Sequence, residues 1–232
     1  MKVALCLSGQ PRFLETCYYS SMKPYILDPF SPDVFIHTWE TSNMVGQYFI
    51  NGYGDNMGAP ITEDLGERIT TLYQPAKCVI EPQIQFDSSK WPGRLMTSIK
   101  SDHLQSMFCS VYKSNELKKR HEQENNFKYD WVIRIRFDMA IPSGPLQLGE
   151  LDNNQLWVAT GCFDNNNGYL DSVGYSSSKI MDIYSDTFNH LDNIADQNPG
   201  MGICGEYILR KHIEGNSIPV SETGTHMCYR CD

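Results

Sequence analysis

A chain of 232 residues, 41% hydrophobic and 20% charged, is long enough to bury a full core as one domain. Its formal net charge of −9 excludes a general nucleic-acid binder, whose footprint is a basic surface, yet leaves room for a local cationic pocket. No apolar run approaches the length of a membrane span, so no membrane-spanning segment is expected.

The opening run Val3 to Leu7 is too short for a signal peptide's apolar region and reads as a buried first strand. With no Asn-X-Ser/Thr sequon, a cytoplasmic location is the expectation. Cys6, Cys17, Cys78 and Cys109 fall on apolar positions and read as reduced, buried thiols. Cys228 and Cys231 form a lone C-x-x-C without the second pair that a zinc site needs.

The first strand breaks at Ser8-Gly9-Gln10-Pro11-Arg12. A helix follows, with apolar pairs at Phe13/Leu14, Cys17/Tyr18 and Tyr25/Ile26, and Pro11 suits its first turn. A second strand from Asp33 to Thr38 ends in His37-Thr38-Trp39, and residues 41–61, rich in Gly, Asn and Tyr, read as a surface loop. A short helix from Glu63 to Tyr73, with Leu65, Ile69 and Leu72 inward, leads to a strand from Cys78 to Glu81. The clearest helix carries Leu104, Met107, Phe108, Val111 and Tyr112 at i, i+3, i+4, i+7 and i+8. It ends in the charged run Lys118 to Glu122, which reads as a solvated helix end.

The stretch Tyr129 to Asp138 is the most informative. Side chains on a strand alternate, so Trp131, Ile133, Ile135 and Phe137 face one side and Val132, Arg134, Arg136 and Asp138 the other. Two guanidiniums on a strand need an anionic partner. A carboxylate at the strand's end, before the loop Pro142 to Pro145, is an oxygen donor suited to a divalent metal. Together they suit a phosphate-bearing substrate. The alternative is an internal Arg–Asp ion pair on a solvent-facing strand.

A strand near 155–160, a polar loop near 162–168, helices near 178–191 and 204–213 and a short strand near 218–221 complete the chain. Strands alternating with helices predict an α/β, Rossmann-like fold with a central, mostly parallel sheet flanked by helices. Ligands in such sheets bind beyond the carboxyl ends of the strands. That rule brings Ser8–Arg12, His37–Glu40 and Arg136–Asp138 to one rim.

The segments VALCLSGQPRF, DVFIHTW, SMFCSVYKSNEL, YDWVIRIRFDM, GYSSSKIMDIYSD and GEYILRKHI, in that order, resemble small GT-A-type glycosyltransferases. The similar proteins belong to bacterial surface-polysaccharide clusters and to large DNA viruses and phages. The resemblance implies a single GT-A-like domain over 1–232, with a nucleotide-binding half of about 1–140 and an acceptor-side half of about 141–232. It implies a nucleotide-sugar donor, a glycan or glycoconjugate acceptor hydroxyl, and Mn²⁺ or Mg²⁺.

The same resemblance assigns roles. Ser8, Gly9, Gln10 and Arg12 would approach the nucleotide, Trp39, beside His37, would line the base pocket, and Arg136 would meet the diphosphate. Asp138 would hold the metal and donor, with Arg134 pairing to a buried carboxylate. Asp171 and Glu206 are the general-base candidates, Asp164 a third, and His226 a further metal ligand. One departure matters: the acidic Asp-X-Asp usual in such enzymes is Arg136-Phe137-Asp138 here, so only Asp138 supplies a carboxylate and Arg136 is able to neutralise a phosphate directly. Two other readings stay open: a catalytically silent nucleotide-sugar-binding module on the same scaffold, and a nucleotidyltransferase, whose Gly-rich basic signature after the first strand is missing.

Overall fold

The protein is described here by a computed structural model covering residues 1–50, 55–96, 99–141, 144–159, 168–223 and 229–230. Asp164, His226, Cys162, Cys228 and Cys231 lie outside the described residues.

Seven strands form the central sheet: β1 (Val3–Ser8), β2 (Asp33–Trp39), β3 (Lys77–Glu81), β4 (Trp131–Arg136), β5 (Leu156–Ala159), β6 (Val173–Ser176) and β7 (Val220–Thr223). Their order is β7-β5-β6-β4-β1-β2-β3, all neighbours parallel except β6, which runs antiparallel to β4 and β5. The expected α/β, mostly parallel architecture is what the chain adopts. Five principal helices accompany it: α1 (Leu65–Tyr73), α2 (Ser101–Asn125), α3 (Ser178–Ser185), α4 (Thr187–Gln197) and α5 (Gly205–Gly215). None of the described helices is long and apolar enough to cross a membrane.

The alternation read from β4 sorts its side chains between two cores. Trp131, Ile133, Ile135 and Phe137 join Leu5, Leu7 and Ile36 on one face. Val132 joins Ala4, Cys6 and Phe35 on the other, beneath Phe108 and Val111 of α2 and Ile208 and Leu209 of α5. The strand is therefore buried on both sides, and Arg134 with it at 1% exposure.

Several expectations need correction. The helix after β1 is a short α-turn, Leu14–Cys17, that widens into a π-helix, Tyr18–Leu27, with Pro24 inside it. Proline cannot donate to a carbonyl one α-turn back, and such a defect breaks regular α-helical bonding. The helix expected over 178–191 is divided into α3 and α4 around Asp186. The 41–61 segment is not merely a surface loop: Phe49–Ile50 pairs antiparallel with Asn56–Met57, and Phe49, Met57 and Ile61 are core residues.

The Lys118–Glu122 run is not a solvated end. Lys118 and Glu122 are fully buried, Lys118 bonding Ser178 Oγ at 2.7 Å and Asp182 Oδ1 at 2.6 Å. Cys17 is not a reduced thiol but half of a disulfide. Cys6, Cys78, Cys109 and Cys204 are free, as expected for the first three.

Candidate functional site

The chain winds outward from β1 through β2 to β3, then crosses by α2 to start β4 on the other side of β1. Strand order reverses between β1 and β4, and an open α/β sheet keeps its ligand crevice beyond the carboxyl ends at such a point. The register sets His37, Ser8 and Arg136 side by side at that rim. Gly9 continues from β1 at φ +95°, a left-handed conformation that glycine adopts without a Cβ penalty. Its N–H donates to Ser110 Oγ at 3.0 Å and its carbonyl accepts from Thr38 Oγ1 at 2.8 Å. The turn so anchored returns Arg12 over the strand ends.

There Arg12 and Arg136 share one carboxylate. Arg136 donates from Nε and Nη2 to Asp138 Oδ1 and Oδ2 at 2.8 and 2.7 Å, a bidentate fork. Arg12 Nη1 lies 3.8 Å from Asp138 Oδ2, its guanidinium steadied by Gln10 Oε1 and by the Ile50 carbonyl at 3.0 Å. Asp138 is 1% exposed, whereas the Arg12 and Arg136 side chains keep 12% and 21% of their surface. Burial works against the Arg136 charge, but Asp138 first, then Asp171 and Glu206, hold its pKa above the ordinary value. Arg134 sits deeper, donating to the Asp171 carbonyl rather than to a carboxylate, and burial lowers its pKa.

Beside this pair lies a second cluster. Asp171 precedes β6 and Glu206 opens α5, and two glycines allow them to meet. A Cβ on Gly205 would stand 2.0 Å from Asp171 Oδ2, and one on Gly168 would stand 2.5 Å from Glu206 Cβ. Burial and then the neighbouring Asp171 push the Glu206 pKa up, partly opposed by Arg136. The adjacent Cys204 thiol is pushed up to about 12, chiefly by burial. Among the described residues, Ser8 Oγ and Ser172 Oγ are buried without a hydrogen-bond partner. Each such hydroxyl costs about 1–3 kcal/mol when it is left without a partner.

His37 and Trp39, expected at the nucleotide, are committed elsewhere. His37 is fully buried, with Nδ1 2.8 Å from Ser110 Oγ and Nε2 3.2 Å from Glu81 Oε1, and burial lowers its pKa. Trp39 stands edge-on to it at 4.7 Å, with the Lys113 ammonium 5.3 Å from its ring centroid. Neither lines the cavity of about 530 Å³ that adjoins Arg12. That cavity is walled by Phe13, Phe49, Met57, Pro60 and Arg68, most of them from the segment whose composition suggested a plain surface loop. The isolated apolar residues Phe49, Met57 and Ile61 were the available signal.

Among the described residues, the donors around Asp138 do not make up a divalent-cation site. Both oxygens of Asp138 are engaged by Arg136, and among the described residues no three His, Cys, Asp or Glu side chains form a metal-holding group. A doubly charged ion there would also face guanidiniums at about 4 Å, a repulsion on the order of 8 kcal/mol for each at an effective dielectric of about 20. Compared with known proteins, the chain matches no protein-family model and no curated sequence.

Proposed function

We propose that this protein is a glycosyltransferase that moves a sugar from a nucleotide-sugar donor to an acceptor hydroxyl. The observation that carries the reading is the meeting, at the switch point of the sheet, of two partly exposed arginines with a carboxyl pair, Asp171 buried and Glu206 half-buried. Arg12 and Arg136 take the donor diphosphate, and the cavity beside Arg12 has the volume for its nucleoside. Glu206 is the general base. Burial and then the neighbouring Asp171 raise its proton affinity, the direction that suits a general base.

In the reaction, Glu206 takes the acceptor hydroxyl proton as that oxygen forms a bond to the anomeric carbon. The bond from that carbon to the diphosphate oxygen breaks, and the negative charge of the departing nucleoside diphosphate develops against Arg12 and Arg136. Donors already in place at the developing charge need no reorganisation, which is where electrostatic catalysis gains most. The ordered sequence resemblance to GT-A-type enzymes points the same way.

The test is a panel of nucleotide-sugars incubated with the protein, scored for released nucleoside diphosphate, with Glu206→Gln alongside. Release by the wild type and its loss in the variant is the expected result. Binding without any release would leave a silent module, and no binding at all would remove the reading.

A further inference from the structure

We infer that Asp138 is a positioning residue for a metal-free diphosphate clamp and not a cation ligand. The inference rests on the donor site proposed above and goes beyond it by naming what neutralises the diphosphate. Asp138 lies beneath the two guanidiniums, nearly sealed from solvent, while both arginines reach the surface. Nε and Nη2 of Arg136 are fixed on its two oxygens, which turns the remaining edge of that guanidinium outward. Arg12 reaches the same carboxylate from the β1 turn, held from behind by Gln10 and the Ile50 carbonyl.

Two like charges from different segments would separate without an anion between them. One buried carboxylate holds them together. A planar, bidentate guanidinium recognises phosphate oxygens directly, so the function usually given to a divalent ion is available from side chains alone. Ser8, level with Arg136 in the strand register, adds a buried hydroxyl with no partner among the described residues.

The experiment measures binding by calorimetry and thermal shift, using UDP, GDP, CDP and ADP and their parent nucleosides, each in EDTA and in Mn²⁺. The wild type is expected to bind one of the diphosphates equally in both conditions, within about threefold. Asp138→Asn should weaken that diphosphate at least tenfold in EDTA and in Mn²⁺ alike, while affinity for the parent nucleoside stays unchanged, a split that a merely structural defect would not produce. Arg136→Lys, which keeps the charge and loses the fork, should show the same split and stands in if Asp138→Asn does not fold. Tight binding only with Mn²⁺ overturns the clamp and leaves the donor site intact. Undiminished diphosphate affinity in both folded variants also overturns the clamp. Failure of every diphosphate in both conditions overturns the clamp and the donor site together.

Discussion

Two ionic clusters, one beneath α2 and one at the strand ends, differ in what they leave over. Beneath α2, Lys118 donates to Ser178 and Asp182 and pairs with Glu122 at 3.5 Å, while Glu122 accepts from Lys128 at 2.7 Å and from the Tyr129 N–H at 3.0 Å. Asp182 is completed by Asn115 Nδ2 at 2.9 Å. Every charge there is matched inside the protein. At the strand ends Arg12 and Arg136 keep exposed surface and Glu206 is held beside a like charge. A closed ion network fixes a helix on a sheet, whereas an open one is chemistry waiting for a ligand.

The largest expected effect breaks the open cluster. Glu206→Gln removes the base without removing volume, and transfer should fall on the order of 10²- to 10⁴-fold while the far-ultraviolet circular dichroism stays that of the wild type. Retained turnover would show that the proton goes elsewhere. The closed cluster should answer in the opposite currency. Lys118→Met keeps the stem but leaves Asp182 with Asn115 alone, and urea unfolding should report a loss of about 3–5 kcal/mol with donor affinity unchanged. A change in affinity with little loss of stability would erase the distinction between the two clusters.

Gly205→Ala tests how the open cluster is held. The new methyl would collide with Asp171 Oδ2, so Asp171 or the start of α5 has to move. Overpacking of this kind costs about 1–3 kcal/mol, and here the shift should also lower transfer by parting Asp171 from Glu206. An alanine variant with wild-type rate and stability would mean that the approach of the two carboxyls is not required.

The sequence made the two faces of β4 legible and concealed the partners that distant elements bring to the site. Period-two alternation needs only local geometry, which is why the faces of β4 were readable from Trp131 to Asp138. The burial of Lys118 was readable too, had the spacing been followed through polar positions. Leu104, Phe108, Val111, Asn115, Lys118 and Glu122 step by fours and threes along one buried face of α2, and composition alone disguised Lys118 and Glu122 as solvated. The ion pair of Arg136 with Asp138 was one of the two alternatives open from sequence, but its arrival beside Arg12 depends on the Gly9 turn and the strand order. His37 and Trp39 lie at the right strand end but face Ser110, Glu81 and Lys113, partners contributed by α2 and β3 that no local pattern reveals. The disulfide of Cys17 likewise has no sequence spacing that announces it.

The smallest effect is the sharpest discriminator, because the Glu206 and Glu122 carboxyls should respond to pH with opposite signs. Burial and Asp171 raise the folded pKa of Glu206 above 4.5. The folded state therefore holds that proton more tightly. The stability gained from it is complete below 4.5 and is lost as pH rises through the raised folded value. Glu206→Gln escapes that loss, so its melting temperature relative to wild type should climb from acid to neutral pH. For Glu122, burial opposes ionisation but Lys128, Ser178 and the Tyr129 N–H outweigh it, and the folded pKa drops below 4.5. Its contribution is present above 4.5 and disappears as pH falls through the lowered value. Glu122→Gln should thus be most destabilising at neutral pH and progressively less so in acid. Parallel melting curves for the two variants would mean that the two clusters are electrostatically alike, and the division between a closed structural network and an open functional one would not stand.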